Sequence, residues 1–261
     1  MRTFLRGVWT FWLAAALVAC SGNGSSVPDG GSDNPGGGGG SGGLEGGVVK
    51  GLVVDTQGKP LQNLKVVVEN TVFLASYVFG TTGQDGRYRV EVPNGSWKVS
   101  IQMERPFQGR TYKIDLAPEN PNAFAGTEGA VRNFTWKLTG PRAEQDRFYG
   151  ASVNIYRVPG DEVYFERQDV ELTFTPDGPL IDGSTGQAVT AKPPAGSDSV
   201  RDIALGRYVI TARLAPAGQT PKPMQLRLRN TETLQDSVTA IFNTPFPDAA
   251  IHELDLELKG P

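Results

Sequence analysis

The sequence predicts an all-β chain: two tandem β-sandwiches behind an apolar leader and a glycine-rich linker. Three observations predict it. Apolar and polar residues alternate with a period of two in many short stretches. Turn signals built on Gly, Pro, Asn and Asp separate those stretches. From Val48 onward, no run of useful length has the 3.6-residue period of an amphipathic helix.

The chain opens MRTFLRGVWTFWLAAALVAC. Arg2 and Arg6 give a positive start, and Val8 to Ala19 is almost wholly apolar. That run is shorter than the roughly 20 residues a spanning helix takes. It has the form of a secretory signal peptide, assigned to residues 1–19. Its end, Leu17-Val18-Ala19-Cys20, resembles the lipobox of bacterial lipoproteins. That resemblance implies cleavage before Cys20 and acylation of its thiol and amine, so Cys20 is the expected lipid attachment site. Cysteine suits the role because its thiolate is strongly nucleophilic. Two or three acyl chains anchor stably, whereas one is marginal. Ser21 rather than Asp after the cysteine implies, in a double-membrane bacterium, export to the outer membrane. The expected location is therefore the bacterial cell envelope, with the membrane as a partner through the lipid.

Residues 20–47 hold the cysteine and a tether dominated by Gly, Ser, Asn, Asp and Pro, with unbroken glycine from Gly36 to Gly40. Such a composition buries too little apolar surface to fold. It is expected to behave as a flexible coil spanning roughly 30 Å.

The first sandwich is assigned to residues 48–140. Tyr88, Val90 and Val92 alternate with polar or charged residues, as do Trp97, Val99, Ile101 and Met103, then Tyr112, Ile114 and Leu116, then Phe134, Trp136 and Leu138. Turns are expected at Gln57-Gly58-Lys59-Pro60, Gln84-Asp85-Gly86 and Pro93-Asn94-Gly95. The second sandwich is assigned to residues 148–259. There the inward residues are Val170, Leu172 and Phe174; Tyr208, Ile210, Ala212 and Leu214; Met224, Leu226 and Leu228; and Leu254, Leu256 and Leu258. Gly206-Arg207-Tyr208 echoes Gly95-Ser96-Trp97 after 111 residues, which suggests a weak tandem repeat of sandwich-sized units.

The first unit reads VVKGLVVDTQGKPLQNLKVVVEN and then TTGQDGRYRVEVPNGSWKVSIQ. Gly51, Val53, Asp55, Gly58, Pro60, Leu61 and Val66, followed by Thr82, Asp85, Gly86, Tyr88, Val90, Pro93, Gly95, Trp97 and Val99, resemble the carboxypeptidase regulatory-like domain. That family implies a transthyretin-like or Ig-like sandwich. The match is good from Val48 to Ser100 and weak onward to Leu138. One departure is Gly83, where the family often has Asp. The second unit keeps only Gly206 and Tyr208 and is expected to be a diverged sandwich.

Composition argues against several chemistries. The net charge is -3 with no basic stripe, so nucleic acid is not an expected partner. A single cysteine permits no intramolecular disulfide, and His252 is the only histidine. Zinc carboxypeptidases, transthyretin-like urate-pathway hydrolases and intradiol dioxygenases all need more histidines, and a Ser-His-Asp triad would rest on His252 alone. Asp177, Asp182 and Asp198 match no calcium-loop spacing and read as turn residues. Where pilin modules of the isopeptide type place a Lys and a promoting Glu, this chain has Leu52 and Ile101, so no crosslink is expected. The chain is expected to be non-catalytic, with no metal and no cofactor.

The stretch TVFLASYVFG is apolar on both sides if extended. Phe73, Tyr77 and Phe79 would then share one strand face, with Val72, Leu74 and Val78 on the other. The first reading is a central strand covered on both faces. The second is an exposed aromatic surface for a partner protein or a polysaccharide. The expected function is a lipid-anchored structural or protein-interaction module, with carbohydrate binding as the alternative.

Overall fold

Alternating stretches dominate a computed structural model of the chain, which describes residues 43–143, 147–246 and 249–261. Among them the only helical element is a single 3-10 turn at Arg167–Asp169. Contacts gather Gly42–Pro261 into one unit.

Ten strands come from the first part of that unit. They are β1 (Val48–Val54), β2 (Lys65–Asn70), β3 (Tyr77–Thr81), β4 (Arg87–Glu91), β5 (Ser96–Phe107), β6 (Arg110–Asp115), β7 (Ala117–Pro118), β8 (Phe124–Ala125), β9 (Ala130–Val131) and β10 (Phe134–Thr135). One sheet runs β4-β1-β10-β7, with β9 also on β1. The other runs β3-β2-β5-β6, with β8 on β5. Val49, Val53, Tyr88, Val90 and Phe134 from the first sheet are buried in one core with Val66, Val68, Trp97, Ile101 and Tyr112 from the second. Tyr88, Val90, Trp97, Ile101, Tyr112 and Phe134 are inward positions that the period-two pattern marks. β5 serves two partners in turn: its first half pairs with β2 and its second half with β6.

Eight more strands follow: β11 (Ala151–Arg157), β12 (Val170–Pro176), β13 (Val189–Ala191), β14 (Ser199–Ile203), β15 (Arg207–Leu214), β16 (Lys222–Leu228), β17 (Val238–Ile241) and β18 (Glu253–Lys259). Hydrogen bonds link them in the order β13-β12-β15-β16-β18-β11-β14, with β17 on β15. β16 changes layers, pairing with β15 up to Met224 and with β18 from Gln225. A strand that switches sheets in this way makes the corner of a sandwich. Leu172, Phe174, Ile210, Leu226, Leu256 and Leu258 are fully enclosed.

The two Gly-x-aromatic sites share one construction. Trp97 Nε1–H donates to the Pro93 carbonyl at 2.9 Å, and the Tyr208 hydroxyl donates to the Ala204 carbonyl at 2.9 Å. Each ring therefore ties back to the backbone four residues upstream, as in a tyrosine corner. Each glycine leaves room for its ring: a Cβ on Gly95 would stand 3.1 Å from Trp97 Nε1, and one on Gly206 would stand 3.0 Å from the Tyr208 ring.

A polar and aromatic seam joins the two sets of strands. The Tyr112 hydroxyl donates to the Phe242 carbonyl at 2.8 Å, and Thr56 Oγ1 donates to Asp182 at 2.6 Å. Arg142 pairs with Asp115, and its Nε donates to the Phe148 carbonyl at 3.0 Å. His252 completes the seam.

Candidate functional site

The loop between β2 and β3 is built from one buried side chain outward. Asn70 is buried, and its Oδ1 accepts the amides of Val72 at 2.9 Å and Phe73 at 2.8 Å. Its own amide donates to the Ser76 carbonyl at 2.9 Å. Thr71 is tied to Ser96 through its amide at 2.8 Å and its hydroxyl at 2.6 Å. Ala75 takes a left-handed conformation, φ 56°, which reverses the chain. Asparagine side chains bond forward to amides in this way and compete with strand formation.

This pinned turn holds apolar side chains in water. Val72 is 71% exposed, Phe73 67% and Leu74 98%. Beside it, Tyr77 and Phe79 lie on the outer face of β3, at 45% and 54% exposure, with ring centroids 6.0 Å apart and planes 18° apart. Lys65 Nζ stands 4.1 Å over the Phe79 ring. This is a cation–π contact. The inner side of β3 is fixed by close approach: a Cβ on Gly80 would lie 2.4 Å from Val90 Cγ2.

The central-strand reading is overturned. β3 stands at the end of its sheet and begins only at Tyr77. Tyr77 and Phe79 do share a face, but Phe73 belongs to the turn. The Asn70 caps and the left-handed Ala75 break the strand that the apolar run suggests. The usable signal was Asn70 just before the run, a residue that starts turns by bonding forward.

Cys20, the signal segment and most of the tether lie outside the described residues. Among the described residues no helix is long and apolar enough to cross a membrane.

The residues considered for chemistry are dispersed. Asp177 pairs with Arg207 at 2.9 Å, and Asp182 accepts from Thr56 and from the Ser184 hydroxyl, each at 2.6 Å. No group of three or more His, Cys, Asp and Glu side chains could hold a metal ion among the described residues. Leu52 uses its amide to donate to Asn133 Oδ1 at 3.0 Å, and Ile101 is buried in the core. A cleft of about 420 Å³ is lined by Lys98, Pro118, Lys137, Arg142 and Tyr149 among others. Another of about 340 Å³ is lined by Arg142, Ser152, Asn154, Arg201 and His252 among others. Phe73, Tyr77 and Phe79 line neither.

His252 is a seam residue. Its Nε2 bonds the Lys113 carbonyl at 2.9 Å, and the Tyr112 ring stands edge-on with centroids 5.3 Å apart. Its Nδ1 is buried without a partner. Burial holds its pKa below the usual histidine value, and the Arg142 charge pushes the same way. The Lys113 hydrogen bond and Asp115 oppose that shift in part. The folded state therefore binds this proton less readily than the unfolded state, whose histidine titrates near 6.5. Stability from this group is present above about pH 6.5 and falls as the pH drops below it. Thermal melts at pH 8 and pH 5.5 are expected to show a loss of up to about 1.4 kcal/mol per pH unit. That part should vanish in His252→Gln. An equal loss in the variant would put the acid sensitivity elsewhere.

No protein-family model matches the chain, and no curated protein does. Among solved structures it is similar to the Bacillus anthracis TIE protein, with a TM-score of 0.31 and 13% identity, over 82% of this chain and 34% of that one. A streptococcal ancillary pilin gives 0.26 and 12%, over 82% and 62%. A C-terminal fragment of the pilus adhesin SpaC from Lactobacillus rhamnosus GG gives 0.27 and 10%, over 81% and 97%. The chain thus spans about a third of the first of these proteins and under two thirds of the second.

Proposed function

We propose that this chain is a non-catalytic cell-envelope protein, held to a membrane by lipid on Cys20, with Phe73, Tyr77 and Phe79 as a protein-interaction surface. In this reading residues 48–140 and 148–259 are two sandwich domains that serve as its rigid body. The observation that carries the proposal is the turn after Asn70. Five hydrogen bonds that Asn70 and Thr71 make or accept order a loop whose apolar side chains point into water. Ordering a loop costs conformational entropy. A monomer recovers nothing from presenting Leu74 to solvent, whereas a partner would cover it. Exposed apolar clusters of this kind mark interaction sites. Without Arg2 and Arg6 the charge becomes 23 basic against 28 acidic residues, or -5, so lipid rather than charge would hold the protein to an anionic surface.

Carbohydrate binding is the second reading, favoured by the near-parallel rings of Tyr77 and Phe79. The Lys65 ammonium already occupies one face of Phe79, which counts against sugar stacking there. A glycan array probed with the chain from Gly42 onward separates the two. Silence is expected. Binding that disappears in both Phe73→Ala and Tyr77→Ala would replace the protein-interaction reading with the carbohydrate one.

A further inference from the structure

We propose that β3 is a self-pairing edge, through which two copies of this chain join their sheets about a two-fold axis at Phe79. The proposal deepens the protein-interaction reading of this surface and rests on it.

The first ground is backbone parity. The Asn70 amide bonds the Ser76 carbonyl, and the Thr82 amide bonds the Leu64 carbonyl. With the register Val67↔Phe79, this makes Ser76, Val78, Gly80 and Thr82 the residues that exchange bonds with β2. Hydrogen-bonded and non-bonded positions alternate in an antiparallel pair. The N–H and C=O groups of Tyr77, Phe79 and Thr81 therefore point away from the sheet, and among the described residues β3 has no strand on that side.

The second ground is the contrast with the other sheet ends. Strand edges are normally guarded by charge, proline or brevity. β4 carries Arg87, Arg89 and Glu91, and β6 carries Arg110, Lys113 and Asp115. β7 carries Pro118, β14 carries Arg201 and Asp202, and β13 has only three residues. β3 reads Tyr-Val-Phe-Gly-Thr, with no charge and no proline.

The third ground is self-complementarity. The outward residues are odd in number and centred on Phe79. An antiparallel copy sets Phe79 opposite Phe79 and Tyr77 opposite Thr81, which allows about six backbone hydrogen bonds. No like charges meet along the strand. The exposed parts of Val72, Phe73, Leu74, Tyr77 and Phe79 add up to about three whole apolar side chains. At roughly 150–250 Å² for each large side chain, that is on the order of 600 Å² per copy. Edge-to-edge pairing covers the flanks of the outer-face rings rather than their whole exposed area, so the backbone hydrogen bonds carry the pairing and this apolar area adds to it in part. One patch meeting its own copy closes the assembly at two.

The test is sedimentation equilibrium of the chain from Gly42 onward, which holds all the described strands and no cysteine. A reversible monomer–dimer equilibrium at micromolar concentration is expected. Phe79→Lys and Thr81→Lys should each weaken it at least about tenfold, while Gln225→Lys on the exposed side of β16 should not. If Phe79→Lys fails to fold, Thr81→Lys decides. Register is read by mixing Tyr77→Cys and Thr81→Cys chains under mild oxidation. Their opposed Cα atoms would lie about 5.5 Å apart, within disulfide range, so a crosslinked heterodimer is expected. A wild-type chain that stays monomeric overturns the proposal, as does a dimer untouched by both lysine variants. If the wild type is monomeric yet an envelope protein binds it in a Phe79-dependent manner, self-pairing fails and the interaction surface stands.

Discussion

Trp97→Ala is expected to destabilise the chain by about 3–5 kcal/mol, the range for removing a buried large aromatic. Trp97 is buried in the first core, set on β5 between Asn70 of β2 and Phe124 of β8. The walls of its site cannot close over the gap. A Cβ on either Gly95 or Gly126 would stand 3.1 Å from Trp97 Nε1, so backbone rather than movable side chain lines that end of the ring. The cavity would persist, and the Pro93 carbonyl would lose its 2.9 Å donor. Urea denaturation reads the effect as a lower midpoint with an unchanged slope. Two comparisons isolate the cause. Tyr208→Phe removes only the bond to Ala204 and is expected to cost about 1 kcal/mol. Leu74→Ala, at a fully exposed position, should stay within about 0.5 kcal/mol. A Trp97→Ala cost as small as that of Leu74→Ala would mean that the first core is not organised around this ring.

Much of the fold was legible because period-two alternation needs only one solvated face. β4, β5, β6, β12, β15, β16 and β18 all show it, and most of their inward residues are buried, with Val99, Leu214 and Leu228 partly buried against the core and Glu257 of β18 buried on the polar side. The two-residue strands β7 to β10 are too short to carry any period. Alternation also says nothing about pairing. The parallel ladders of β1 with β10 and of β11 with β18, and the change of layer within β16, depend on contacts distant in sequence. The seam was illegible for the same reason: Tyr112 and Phe242 are unremarkable until the chain brings them together.

The candidate surface was half legible. Composition singled out Phe73, Tyr77 and Phe79, but as members of one extended strand. A polar side chain set the geometry instead. Asn70 takes up two amides that a continued strand would have paired with its neighbour, and the apolar residues after it turn outward.

The proposed lipid anchor rests on Cys20 alone. A diacylated and amine-acylated cysteine would hold the chain to a membrane stably, at about 0.8 kcal/mol per buried CH₂. Cys20 is the sole cysteine, so one substitution removes every thiol. Palmitate labelling followed by membrane fractionation, on wild type and Cys20→Ser side by side, reads both attachment and location. Labelled wild type in the membrane fraction is expected, with Cys20→Ser unlabelled and absent from that fraction. Palmitate on the Cys20→Ser chain, or a wild-type chain that carries none, would contradict the account.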